Sequence, residues 1–218
     1  MISVEEIRRR IEESIRVKNS LLAQAELLQK LAEVWTDALR QGNKVIFFGN
    51  GGSAADAQHL ECELSGRFYL DRRPLAALSL TVNTSSLTAI GNDFGYEQVF
   101  SRQLEGIARA GDVAVGISTS GNSPNVLLAL EKARALGLTT VGFTGRGGGK
   151  VRGLCHHWLG IDSEETPRVQ EGHILAGHIV CELVEGELFG PEKSSANQTG
   201  TPFHDSPTPA VRGKGRPR

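Results

Sequence analysis

The chain has 218 residues and a mass of 23.4 kDa, enough for one domain with a sizeable core, so neither a disulfide nor a structural metal is needed for folding. Lysine and arginine number 24 against 25 aspartates and glutamates, a net charge of −1, which argues against a dedicated nucleic-acid binder. Three cysteines without CxxC spacing argue against a disulfide framework or a cysteine zinc knuckle, and the first residues lack the basic-then-apolar pattern of a signal peptide, so a cytoplasmic protein is expected.

Residues 1–42 read as a helix pair. They hold no glycine before Gly42, and Ile7, Ile11, Ile15, Leu22, Leu28, Leu31, Ala32, Trp35 and Leu39 recur at three- and four-residue spacing. The length predicts a break near Asn19-Ser20, with the pair packing on the rest of the domain or on a neighbouring subunit. Residues 43–190 carry most of the 26 glycines and repeat one unit: an apolar, β-branched run, a glycine-rich turn, then a helical stretch. The runs are 44–48, 75–80, 113–117, 139–143 and 157–161. Continuous apolar strands alternating with helices predict an α/β fold, a three-layer doubly wound sheet of about five parallel strands. Residues 191–218, rich in proline and closing on basic residues, read as a disordered tail.

In such sheets ligands bind beyond the carboxyl ends of the strands. The first strand leads into Gly49-Asn50-Gly51-Gly52-Ser53-Ala54, where glycines let backbone N–H groups approach an anion and a helix start adds positive potential. The loop also fits the dinucleotide fingerprint G-x-G-x-x-A. The next strand, however, ends in Thr81-Val82-Asn83 instead of the acid that would hold a ribose, which argues against a nicotinamide or flavin enzyme. The third strand leads into Ser118-Thr119-Ser120-Gly121-Asn122-Ser123-Pro124. Ser123 and Pro124 suit an ordinary helix start, while the three preceding hydroxyls suit a phosphate monoester. The glycine cluster after Thr144 fails as a P-loop, because Val151 stands where a hydroxyl is required.

Two helices carry the remaining chemistry. His59 and Glu63, four residues apart, share a helix face and can reach one cation, although such a pair also occurs as a plain surface contact. The last long helix opens Arg168-Val169-Gln170-Glu171-Gly172-His173 and places His178 beside its apolar face, a setting suited to an acid–base histidine.

Gly49-Asn50-Gly51-Gly52-Ser53, Gly91-Asn92-Asp93-Phe94-Gly95, Ser118-Thr119-Ser120-Gly121-Asn122-Ser123 and Arg168-x-Gln170-Glu171-x-His173 together resemble the sugar isomerase (SIS) fold, and within it the phosphoheptose isomerase family. The likeness runs from about residue 5 to 190. It implies an aldose–ketose isomerase acting on sedoheptulose 7-phosphate through an enediolate, as a homotetramer with active sites between subunits and one zinc ion per subunit. Carried over by position, it implies Glu63 and His178 as catalytic residues. Phosphate and sugar would be bound by Asn50, Gly51, Gly52, Ser53, Asn92, Asp93, Ser118, Thr119, Ser120, Ser123 and Gln170. The metal would be held by His59, Glu63, Gln170 and His178. No nucleic acid or membrane partner is implied. The alternative within the same fold is a non-catalytic scaffold that binds a replication initiator, a subgroup lacking acid–base groups at the positions of Glu63 and His178.

Overall fold

The computed structural model describes residues 2–190; the expected disordered tail, 191–218, lies outside the described residues. The N-terminal segment forms α1 (Val4–Ser20), a short 3-10 turn (Leu21–Gln24) and α2 (Ala25–Arg40). The expected break falls in that turn, just past Asn19-Ser20. Ser3 caps α1 by accepting from the Glu6 N–H, 3.1 Å away. Helix α2 buries the face predicted for it, with Leu28, Leu31 and Trp35 inside, and Trp35 meets Phe47 edge-to-face at 5.3 Å. On α1 the outcome differs. Its isoleucine stripe is left open, with Ile7 at 51%, Ile11 at 55% and Ile15 at 53% exposure.

The sheet is built from β1 (Val45–Gly49), β2 (Ala77–Ser79), β3 (Val113–Ile117), β4 (Thr139–Gly145) and β5 (His157–Ile161). It is wholly parallel, in the order β2-β1-β3-β4-β5. Between the strands lie α3 (Gly52–Ser65), α4 (Thr84–Phe94), α5 (Ser101–Ile107), α6 (Pro124–Ala135) and α7 (Val151–Leu154), and α8 (Thr166–Phe189) closes the fold. The strand residues alternate between two cores. Val45, Phe47, Val115, Ile117 and Phe143 face α2, α3 and α8, whereas Ile46, Phe48 and Ala114 face α5 and α6. Helices thus cover both faces, as continuous apolar strands require.

The strand order reverses between β1 and β3, which leaves a crevice at their carboxyl ends. The register pairs Gly49 with Ile117, so both strands end level and both glycine-and-hydroxyl loops open at this one point. A side chain at Gly49 would come within 2.8 Å of the Ile117 carbonyl and 2.9 Å of the Ser53 carbonyl; only glycine permits that approach.

Candidate active site

The first loop turns from β1 into α3 with Gly51 in left-handed backbone (φ 55°), and no side chain caps the helix. Glycine alone adopts that turn cheaply. Ser53 lies buried in the first turn. In the second loop Ser123 occupies the N-cap position of α6, yet its hydroxyl makes no capping bond and pairs instead with the Ser118 hydroxyl at 2.9 Å. The Ser53 and Ala54 N–H groups turn back onto the Asn50 and Gly51 carbonyls and the Val126 N–H onto the Asn125 side-chain oxygen, while Pro124 has no N–H. The Gly52 and Asn125 N–H groups remain beside the hydroxyls as donors that can receive an anion. Thr119 is half-buried and Ser120 exposed at the rim.

Asn50 joins the two loops. Its amide donates to the Asn125 side-chain oxygen at 2.8 Å and its own oxygen accepts from Asn125, also at 2.8 Å. Tyr96 adds a third tie, its hydroxyl donating to the Asn50 oxygen at 3.2 Å. Asn92 and Asp93 stand exposed at the end of α4, with the Asn92 amide donating to Asp93 at 2.8 Å. Tyr96 lies three residues beyond Asp93 and carries that segment to the cradle.

Helices α3 and α8 lie side by side and run in the same direction. Gln170 is level with Gly52, where any side chain would collide with its amide; Gly177 is level with Leu60, and Glu185 with Phe68. This in-step packing brings His59, Glu63 and His178 together two to three helical turns from the cradle. The His178 and His59 Nε2 atoms are 2.9 Å apart, and the His59 Nε2 lies 3.1 Å from a Glu63 oxygen. The three donor atoms all fall within 4.8 Å of one another. Two imidazole nitrogens and a carboxylate converging from two helices fit a zinc-like cation. Burial, reinforced by His59 and opposed by Glu63, lowers the His178 pKa, which favours the neutral imidazole that a metal or a proton needs.

Gln170 is placed differently. Eight residues separate it from His178, about 12 Å along the helix, so it stands at the cradle end and not beside the two histidines. The motif that contains it divides by function. Arg168 donates to the Arg10 carbonyl at 2.7 Å and Glu171 accepts from Ser14 at 2.5 Å, tying α1 to α8. His173 is fully buried, its Nε2–H donating to the Thr144 carbonyl at 3.1 Å; burial pushes its pKa down to about 4.

Sequence reasoning passed over several residues. Asn125 and Tyr96 lock the first loop but sit in no glycine motif. Asp56, one turn before His59, is pushed up to about 6 by burial, opposed by His59. Phe68 packs its ring 5.8 Å from that of His178. Only Asp56 left a readable signal, an acid one turn before His59 on the same helix.

A SIS domain family model matches residues 11–145. The phosphoheptose isomerase of Akkermansia muciniphila is 54% identical over 171 residues, covering 78% of this chain and 90% of its own. That of Aquifex aeolicus is 52% identical over 183 residues, covering 84% and 96%. Among solved structures, the phosphoheptose isomerase GmhA of Neisseria gonorrhoeae superposes with a TM-score of 0.79 at 41% identity, covering 84% of this chain and 98% of that one. A phosphoheptose isomerase from Francisella tularensis gives 0.80 at 32% identity, with the same coverages of 84% and 98%.

Proposed function

The chain belongs to the SIS-domain family and, within it, to the phosphoheptose isomerases, and from that premise we propose how its residues carry the reaction. The reaction is the aldose–ketose isomerisation of sedoheptulose 7-phosphate to D-glycero-D-manno-heptose 7-phosphate, which feeds heptose biosynthesis. The observation that carries the reading is the meeting of His59, Glu63 and His178 on two helices whose N-terminal ends reach the uncapped loops.

The phosphate rests on the free N–H groups at the starts of α3 and α6, with Ser53, Ser118, Thr119, Ser120 and Ser123 supplying hydroxyls. Holding that end orients the far carbons toward the α3–α8 pair. Asn50, Gly51, Gly52, Asn92, Asp93 and Gln170 border the sugar. Glu63 takes the proton from the carbon beside the carbonyl and returns it to the neighbouring carbon, while His178 moves protons between the two oxygens. A zinc ion, one per subunit, would be held by His59, His178 and Glu63 and would supply Lewis-acid polarisation of the sugar oxygens. Glu63 would leave the metal as substrate displaces it, freeing its carboxylate to act as the base. Gln170 serves substrate within its own chain; as a fourth ligand it would have to come from a neighbouring subunit.

The open isoleucine face of α1 and the absence of any buried residue on α4 support a homotetramer in which these surfaces are covered. A cytoplasmic location goes with this reading; no helix among the described residues is long and apolar enough to cross a membrane. The scaffold alternative has no support among relatives named as isomerases. Purified protein incubated with sedoheptulose 7-phosphate is expected to form the aldose. Zinc-replete tetramer without turnover would overturn the assignment.

A further inference from the structure

Seven residues beyond His178, α8 carries a buried acid, Glu185. Both its oxygens are saturated. One accepts from the Phe68 N–H at 2.9 Å and the Arg72 Nε at 2.7 Å; the other accepts from the Tyr69 and Leu70 N–H groups at 2.6 and 2.8 Å. Burial raises the pKa of this carboxyl, but the three backbone donors and Arg72 outweigh it and hold the group below the ordinary carboxylate value.

Arg72, equally buried, uses the rest of its guanidinium on the end of α3. Its Nη2 donates to the Glu63 carbonyl at 2.9 Å, and its Nη1 to the carbonyls of Leu64 at 2.9 Å, Gly66 at 3.2 Å and Arg73 at 3.0 Å. The last carbonyls of a helix have no partner within it, and a cation there also meets the negative end of the helix dipole. The turn that carries Glu63 is therefore closed by Arg72. The loop held by Glu185 carries Phe68, whose ring packs on His178.

We propose that Arg72 and Glu185 are positioning residues for the isomerase reaction: their buried ion pair fixes the final turn of α3 and the loop 66–72, and so sets the separation of Glu63 and His178. A simple staple between two helices would need only the ion pair. Here the same guanidinium reaches the backbone of the acid–base residue itself, and the same carboxylate holds the loop that packs against its partner. The chemistry requires arginine. A lysine ammonium can face Glu185 but cannot span Glu185 and the Glu63 and Leu64 carbonyls together.

The inference rests on the isomerase reading, and the test separates the two. Arg72→Lys and the double variant Arg72→Met with Glu185→Leu, which removes both buried charges at similar volume, are compared with wild type as intact full-length protein. With sedoheptulose 7-phosphate, kcat is expected to fall about tenfold or more while KM stays within about twofold, because the phosphate loops lie at the other end of α3. Cobalt(II), titrated by its visible spectrum, is expected to bind about tenfold more weakly, the usual scale for loss of a supporting contact. If the double variant fails to fold, Arg72→Lys alone decides. A folded variant with wild-type kcat and wild-type cobalt affinity overturns the proposal, as does a rise in KM at unchanged kcat. If wild-type protein does not turn over the heptulose, the activity reading falls, and the cobalt titration still decides this one.

Discussion

The two ends of the site are built by different means. At the crevice between β1 and β3, backbone N–H groups and short hydroxyls gather from loops only a few residues long. Some of the bonds that shape them are local, such as Ser118 to Ser123, while Asn125 and Tyr96 tie down Asn50 from farther along the chain. Two to three turns along α3, where it meets the middle of α8, the working atoms belong to long side chains, and His59 and His178 stand 119 residues apart in the chain. A cradle made of backbone is written in the local sequence, since glycines and hydroxyls must sit at fixed offsets to expose it. A cluster made of side chains exists only once two helices have docked in step. The comparison predicts that damage at the cradle weakens binding and damage at the helix pair slows chemistry.

The sharpest break comes from Glu63→Gln. Turnover is expected to fall by about 10³-fold, within the range for loss of a general base, with KM little changed. Full activity in a folded variant would remove Glu63 as the base. Next in size is the acid sensitivity of α8 between the two ends. The buried His173 has a folded pKa of about 4 against 6.5 for a free imidazole, so folding disfavours the proton. Stability is complete above about pH 6.5 and is lost as the pH falls toward 4; the interval corresponds to roughly 3 kcal/mol. Urea melts of wild type and His173→Phe across that range should show the slope in the first and a much smaller one in the second.

Chelation should separate the two ends directly. Stripping the metal is expected to cost about 100-fold in kcat, in keeping with several kcal/mol of charge stabilisation, while calorimetry still detects binding of the sugar phosphate at the cradle. Parallel loss of binding would mean that the ends are not independent. The smallest effect is expected from Ser118→Ala, which removes one neutral hydrogen bond worth about 1 kcal/mol and should raise KM about fivefold with kcat nearly intact. A drop in kcat with KM unchanged would reverse the assignment of the cradle to binding.

Much of this fold is legible in the sequence. All five apolar runs become strands, although the second shortens to Ala77–Ser79 at the sheet edge, where it pairs on one side only. The first and second loops also appear where their glycines and hydroxyls place them. His59 with Glu63 and His178 were legible as candidate cation and acid–base groups. Their joint role, and Asn92, Asp93 and Gln170 as site residues, came only through the likeness to a family, because one His–Glu pair on a helix does not say what faces it. Arg72 and Glu185 left no signal, since an arginine in a loop and a glutamate on an amphipathic helix are ordinary until residues 113 apart in the chain come together.

Helices α1 and α2 mark the same boundary. Both carry apolar residues at helical spacing, and both are helices, because periodicity and the absence of glycine and proline are local properties. Helix α2 covers its apolar face within the chain, packing Trp35 on Phe47, while α1 is tied to α8 by polar contacts at Arg10 and Ser14 and keeps Ile7, Ile11 and Ile15 open. The sequence by itself determined the elements, the strand-end loops and the faces available for burial. Tertiary structure decided which face is covered, that α3 and α8 run level, and hence that Glu63 meets His178, because those contacts depend on how distant segments dock and not on the spacing within either one.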